Sequence, residues 1–283
     1  MNTLWEVWKS NGDVPVGTLT LIGFSVAALR TNFYIKELNI MLDAGLSSPY
    51  VPSHIFITHV HSDHCANLPF HLIGDKLPQK IYCPIGAGTL LENFIMSTHK
   101  MSTNGHYTGE TRTYEIMEMK PDTPLIVEIK HKMYRVETYR CDHTVPCLGY
   151  GFTELRKKLK KEFIGLAGTE LLNLKKSGTV IDEYVELPQF VYLGDTSAKI
   201  LENDEIYKYP CIFIECTFLL DDEYDRSKEV KHMHWRDLNP TVVGHPSCVF
   251  YLYHFSQRYK KEEIISFFLN YSYPNIILLA GGT

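Results

Sequence analysis

His54-Ile55-Phe56-Ile57-Thr58-His59-Val60-His61-Ser62-Asp63-His64 sets an apolar run directly against the pattern H-x-H-x-D-H. The run reads as a strand, so the pattern lies where that strand ends. Residues two apart on an extended segment share a face. His59 and His61 can therefore grip one ion, while Asp63 and His64 turn toward a neighbouring one. Imidazole nitrogen with a little carboxylate is a donor set that favours zinc over magnesium or calcium. The bland alternative is a surface loop that happens to carry histidines. Four metal-competent side chains within six residues, launched from a strand end, argue against it.

Further strand-like segments surround this one: Leu19–Phe24, Phe33–Leu38, Ile40–Asp43, Gln79–Cys83, Leu125–Ile129, Tyr134–Arg140, Phe190–Leu193, Cys211–Glu215, Val249–Tyr253 and Asn275–Leu279. Several are β-branched and bounded by Gly, Pro or Asp, as strands are. Helical patterns lie between some of them, at Asn67–Ile73, Gly86–Ser97, Gly168–Ser177, Trp235–Val242 and Lys261–Tyr271. Mixed alternation of this kind implies sheets with helices packed outside, a layered α/β design. No repeat, low-complexity tract or Pro/Ser-rich linker divides the 283 residues, so one domain over 1–283 is expected.

Composition narrows the class. Apolar content of 45% and charged content of 22% describe a globular chain. No run approaches a membrane span, and the N-terminus lacks the basic start and apolar stretch of a signal peptide. Seven cysteines without CxxC pairs read as reduced thiols, and the expected location is cytoplasmic. A net charge of −5 argues against indiscriminate coating of nucleic acid, although positive charge is concentrated locally. Arg156-Lys157-Lys158-Leu159-Lys160-Lys161 holds five basic residues in six. By itself such a run reads as a solvated helix face.

Metal-competent residues recur at the ends of other strands: His143 after Tyr134–Arg140, Asp195 after Phe190–Leu193, and His254 after Val249–Tyr253. Order, residue type and strand context suggest a binuclear site. His59, His61 and His143 hold one zinc, Asp63, His64 and His254 hold the other, and Asp195 bridges them. Paired zinc ions lower the pKa of a trapped water and stabilise attacking and leaving oxygens at phosphorus. His232 and His234, in Lys231-His232-Met233-His234-Trp235, admit three readings: a second metal pair, a proton donor with an orienting neighbour, or a helix cap. The proton donor is favoured, because an alkoxide leaving phosphorus needs protonation or charge stabilisation. Glu215 ends an apolar strand and either orients a catalytic imidazole or caps a loop. His54, His71, His99, His106, His131 and His245 stand outside this set as structural or surface residues.

The set 59–64, His143, Gly194-Asp195-Thr196 and His254 resembles the metallo-β-lactamase superfamily. Three further stretches narrow the resemblance to the tRNase Z family of tRNA 3′-processing endoribonucleases. His254-Phe255-Ser256-Gln257-Arg258-Tyr259 is similar to that family's H-F-S-x-R-Y, and Glu215-Cys216-Thr217-Phe218 to its E-[AS]-T-F. Lys231-His232-Met233-His234 resembles G-H-x-[HT], with His232 on the catalytic histidine. From Cys141 to Asp195 the chain is similar to short plant- and bacterial-type members. The likeness covers roughly residues 17–262. Two departures stand out. Leu21-Ile22-Gly23-Phe24-Ser25 is looser than the family's L-G-T-x-[SG], and no long Gly/Pro-rich arm is apparent.

The resemblance implies a four-layer αββα sandwich of two mixed sheets with outer helices, carrying a short basic substrate arm at about 154–180. It implies removal of 3′ trailers from precursor tRNA by two zinc ions per subunit, with manganese or another divalent ion as an alternative. Water held by Asp63 attacks the phosphorus 3′ of the discriminator nucleotide. His232, oriented by Glu215, protonates the leaving 3′-oxygen. The implied partners are precursor tRNA and a second copy of the chain, with neither membrane nor DNA. Arg156, Lys157, Lys158, Lys160 and Lys161 then hold phosphates of the tRNA body. Ser256 and Arg258 contact phosphate near the scissile bond, unless Arg258 instead locks the loop through a salt bridge. The rival readings are another hydrolase on this scaffold, a phosphodiesterase or thioesterase, and a non-catalytic RNA-binding homologue.

Overall fold

The computed structural model describes residues 4–72, 78–108 and 114–281. Its strands form two seven-stranded sheets, each in chain order from one edge to the other. The first holds β1 (Val14–Val16), β2 (Leu19–Val26), β3 (Arg30–Ile35), β4 (Ile40–Leu42), β5 (His54–Phe56), β6 (Gln79–Pro84) and β7 (Tyr114–Met119). The second holds β8 (Leu125–Ile129), β9 (Lys132–Cys141), β10 (Cys147–Leu159), β11 (Asp182–Tyr192), β12 (Cys211–Glu215), β13 (Val249–Tyr253) and β14 (Ile276–Leu278). The helices are α1 (Leu4–Trp8), α2 (Ser62–Cys65), α3 (Leu68–His71), α4 (Gly88–Ser102), α5 (Gly168–Lys176), α6 (Tyr224–Val230), α7 (Trp235–Gly244) and α8 (Lys261–Leu269).

Three apolar cores give the layering. Inward residues of both sheets, among them Phe33, Phe56, Tyr150, Phe152, Phe190, Phe213 and Tyr253, make the central one. A second joins the outer face of the first sheet to α2, α3 and α4. A third joins the outer face of the second sheet to α7 and α8. The order is thus helices, sheet, sheet, helices. Aromatic rings lock the sheets together: Phe56 of the first meets Phe152 of the second edge-on at 4.9 Å and Tyr150 at 5.3 Å. Each such ring buries on the order of 150–250 Å², which keeps one rim in fixed register with the other.

Pairing direction decides where the loops emerge. β4 through β7 run parallel, as do β11 through β14. β9 and β11 are each antiparallel to β10 and so run the same way as one another. The C-terminal ends of β5, β9, β11, β12 and β13 lead to the segments singled out in the sequence.

Several boundaries differ from expectation. β1, β7 and β10 escape a sequence reading, the first two because their patterns are weak. β3 ends at Ile35, with Leu38 buried in the turn that follows. The helix expected over Asn67–Ile73 is α3, and Ile73 lies outside the described residues. The largest correction concerns the basic run. Arg156–Leu159 is not a helix face but the outer end of β10, paired with β11 so that Arg156 opposes Val185 and Lys158 opposes Glu183. Lysine is somewhat depleted in strands, and the long ladder with β11 overrides that. The two strands run out into an extension that carries α5, none of whose residues is buried. No described helix is long and apolar enough to cross a membrane.

Candidate metal centre

Four strand ends, those of β5, β9, β11 and β13, bring seven side chains to one point. His59, His61 and His143 form one cluster of metal-competent atoms, Asp63, His64 and His254 a second, and Asp195 sits with His59 and His64 between them. Asp195 Oδ2 lies 3.7 Å from His59 Nε2 and 3.4 Å from Nε2 of both His64 and His254. His61 Nδ1 is 3.2 Å from His143 Nε2, and His64 Nε2 is 3.2 Å from His254 Nε2. Asp63 Oδ2 stands 3.3 Å from His254 Nε2 and accepts the backbone N–H of Ala28 at 2.9 Å.

Hydrogen bonds on the far side of four of the rings set their tautomers. His64 Nδ1 donates to Asp43 Oδ2 at 2.8 Å, and His143 Nδ1 donates to the Lys231 carbonyl at 3.2 Å. His254 Nδ1 donates to Thr217 Oγ1 at 3.1 Å, the hydroxyl in turn donating to Glu215. His59 Nδ1 donates to Thr58 Oγ1 at 3.0 Å, and that hydroxyl donates to Asp43. Each of these Nε2 atoms consequently presents a lone pair to the interior, and lone pairs 3.2 Å apart repel unless a cation lies among them. His59 Nε2 and Asp195 Oδ1 are buried polar atoms with no protein partner. Such orphans are costly, and metal cations satisfy both. The residues therefore fit divalent ions.

Charge follows the same logic. Burial holds the His59, His61 and His143 rings below the ordinary imidazole range, which keeps them in the neutral form that binds metal. Burial opposes charge on His64 too, but the Asp195 and Asp43 carboxylates outweigh it and raise that ring. Negative potential that would hold a proton there attracts a metal cation equally. Burial works against the Asp63 anion, and the close approach of His254, with His64 beside it, brings its carboxyl down to about 2.

Beside this cluster lies a second pair. His232 Nδ1 donates to Glu215 Oε1 at 2.8 Å and is 3.9 Å from Asp195 Oδ2. Burial disfavours the imidazolium, but the Glu215 carboxylate outweighs that and pushes His232 up to about 9. Glu215 is fully buried and also accepts the Thr196 N–H at 2.7 Å. His234 goes elsewhere: its Nδ1 caps α7 by accepting the Arg236 N–H at 3.0 Å, and its Nε2 donates to the Leu220 carbonyl at 2.9 Å. Of the three readings for the two histidines, the helix cap describes His234, while His232 stands beside the cluster with Glu215 behind it.

Ser256 and Arg258 lie on the loop after β13. Arg258 Nε donates to Ser256 Oγ at 3.2 Å, its guanidinium pairs with Glu223 at 2.8 Å, and it covers the Phe218 ring. This is the loop-locking alternative seen directly. The basic run lies away from the cluster on the extension: Arg156 pairs with Glu154 at 3.3 Å, and Lys157 rests 5.6 Å from the Tyr184 ring centroid. Among the six histidines set aside, His71 bonds the Leu46 carbonyl, His245 stacks on Tyr207 and His131 is exposed.

Asp43 is the residue that sequence reasoning passed over. It accepts from His64, Thr58 and Tyr192, the last at 2.6 Å, and has no exposure to solvent. Its signal was present, since an acid ending the apolar strand Ile40-Met41-Leu42 sits as Asp195 and Glu215 do. Gly45, two residues on, carries a further constraint: a Cβ there would fall 1.8 Å from the Asp63 carbonyl oxygen. Only glycine lets the Asp63 loop pack this closely.

No protein-family profile matches the chain. Ribonuclease Z of Methanocaldococcus jannaschii is 30% identical over 253 residues, covering 78% of this chain and 74% of that protein. The chain belongs to the ribonuclease Z family. Two Arabidopsis thaliana members extend the match: tRNase Z TRZ1, 26% identical over 86% of this chain and 87% of its own length, and the chloroplastic tRNase Z TRZ2, 27% identical over 89% and 71%. Among solved structures, the short form of human tRNase Z superposes with a TM-score of 0.54 at 19% identity, covering 83% of this chain and 92% of that one. The metallo-β-lactamase fold protein YhfI of Bacillus subtilis superposes at 0.57 with 14% identity, over 92% and 95%. These two likenesses give the fold, which is that of metallo-β-lactamases. The ribonuclease Z relationship supplies what the fold alone leaves open.

Proposed function

We propose that this chain is a metal-dependent endoribonuclease that removes the 3′ trailer from precursor tRNA. The observation that carries the reading is His232, held by Glu215 beside a cage of inward-facing imidazoles and carboxylates. A ribonuclease Z relationship over most of the chain supports the substrate. His59, His61 and His143 would hold one ion, Asp63, His64 and His254 a second, and Asp195 both. Zinc suits this nitrogen-rich set, with manganese as the alternative. Ions bound there lower the pKa of water and offset charge on the phosphodiester.

The chain's own groups do the rest. Asp63, ionised and anchored by the Ala28 N–H, accepts a hydrogen bond from the attacking water and aims it at phosphorus. Glu215 keeps His232 protonated at neutral pH, with Nε2 free to face substrate. That proton passes to the departing 3′-oxygen, leaving a 3′-hydroxyl on the tRNA body and a 5′-phosphate on the trailer.

The extension built on β10 and β11 serves as the substrate arm in this reading. Arg156, Lys157, Lys158, Lys160 and Lys161 supply phosphate contacts, tempered by Glu154 and Glu183 on the same hairpin. Ser256 positions Arg258 at the edge of the site. A homodimer belongs to the proposal too. Leu90, Phe94 and Met101 share one exposed side of α4, where helical spacing aligns them into an apolar row that a second copy would cover. A cytoplasmic location completes the reading. The test is incubation of purified protein with 5′-labelled precursor tRNA, with and without chelator. A single chelator-sensitive cut after the discriminator, leaving a 3′-hydroxyl, is expected. Intact precursor beside rapid hydrolysis of bis-p-nitrophenyl phosphate would hand the site to a phosphodiesterase.

A further inference from the structure

Outside the metal centre, a cavity of about 290 Å³ lies between α7, the end of α8 and the loop that follows β12. None of the seven caged side chains lines it, and neither do His232 and Glu215. His234 does line it, but its Nδ1 is taken by the Arg236 N–H and its Nε2 by the Leu220 carbonyl. Trp235 and Asn239 on one helix face Phe267 and Tyr271 from the other, each pair four residues apart, and the Trp235 and Tyr271 ring centroids are 5.1 Å apart. The wall carries one acid, Asp221, and one base, Arg236, whose guanidinium already rests 4.5 Å from the Tyr224 ring centroid. Charge is balanced, so a ligand here is chosen by shape and hydrogen bonding.

Two polar atoms of this wall have no protein partner. Trp235 is 2% exposed and its Nε1 donor is unpaired, and the buried Asn239 Oδ1 acceptor is unpaired too. They belong to residues one turn apart on the same face of α7 and do not bond one another. Orphaned buried polar atoms are costly. A ligand that accepts from the first and donates to the second relieves both. Nucleobases set a donor beside an acceptor on their pairing edge, and their flat faces stack on aromatic side chains. We propose that this cleft binds one nucleobase, its face against Phe267 and Tyr271 and its edge on Trp235 Nε1 and Asn239 Oδ1. The volume, just under the range of ordinary ligand pockets, suits a base more than a whole nucleotide. A free nucleoside and an unpaired residue of RNA offer the same ring and edge; the RNA source rests on the ribonuclease reading.

Nuclear magnetic resonance of the isotope-labelled full chain tests the site without calling on cleavage. The chain has three tryptophans, and Trp235→Phe identifies the Trp235 indole N–H signal. Titration with uridine or adenosine should shift that signal. Asn239→Leu should weaken the binding about tenfold, while Asn239→Asp, which keeps an acceptor, retains it. Unmoved signals elsewhere in the spectrum show that both variants fold. N3-methyluridine, whose edge donor is blocked, should bind as poorly to the unaltered chain as uridine does to Asn239→Leu. An indole signal that ignores both nucleosides, or that responds equally in Asn239→Leu or to N3-methyluridine, overturns the site and leaves the ribonuclease reading standing. Precursor tRNA separates the two sources. The same shift with precursor assigns the base to the RNA, and a shift with nucleosides alone assigns it to a free nucleoside. Precursor that shifts the signal yet stays uncut by the metal-loaded protein refutes the ribonuclease reading alone.

Discussion

The strand-end cage, built between the two sheets, and the β10–β11 extension of the second sheet follow opposite rules. In the cage most rings have a partner behind them: Asp43 under His64, Thr217 under His254, the Lys231 carbonyl under His143. Its side chains are buried and have few ways to rearrange. On the extension, α5 buries nothing, and the lysines lie against solvent or against acids of the same hairpin. The contrast shows how chemistry and grip can be separated within a fold. Buried loops on rigid strands hold reacting groups within a fraction of an ångström, while an exposed arm holds a large ligand by charges that need no such precision.

Changes in the cage should cost rate, and changes on the extension should cost affinity. Asp63→Ala removes a carboxylate that would serve both ion and water. Turnover of precursor tRNA should fall about 10³-fold or more, with the dissociation constant for tRNA nearly unchanged in a gel-shift assay. Loss of tRNA binding in step with rate would make Asp63 a structural residue. His232→Ala should slow single-turnover cleavage about 10²- to 10³-fold. His234→Ala should instead lower thermal stability by about 1 kcal/mol, the worth of a helix cap, and leave cleavage closer to wild type.

Glu215→Gln sharpens the point through pH. Glu215 raises His232, so its neutralisation lowers that ring, and the alkaline limb of the cleavage profile should move to lower pH. An unmoved limb would take the proton from another group. Asp43→Asn, one shell out, should weaken metal affinity about 10- to 100-fold, read by competition with a chromogenic chelator. On the extension, reversing Lys157, Lys158 and Lys160 to Glu should raise KM several-fold and flatten its salt dependence, each lost phosphate contact reducing the slope by about 0.7 to 0.9. Unchanged KM would return the run to a solvated surface.

The cage was legible in the sequence because its residues follow strands whose apolar patterns are plain. His59, His61, Asp63 and His64 fall within six positions, and Asp195, Glu215 and His254 each close or follow a hydrophobic run. Asp43 obeys the same rule and was read only as a strand end, because nothing in its neighbourhood marks it as a hydrogen-bond acceptor for residues 15, 21 and 149 positions away. The extension was misread for a different reason. A run of lysines carries no period-2 apolar signal, and its strand state comes from the partner residues 182–185 across the ladder. Exposed pairing of this kind leaves its mark in register and not in hydrophobicity.

X-ray fluorescence and an anomalous-difference map from crystals of protein purified without chelator would test the central claim most directly. The account predicts two metal peaks flanking Asp195, one among His59, His61 and His143 and the other among Asp63, His64 and His254. A map with no density there, from protein that still cleaves precursor tRNA in the presence of chelator, would contradict it.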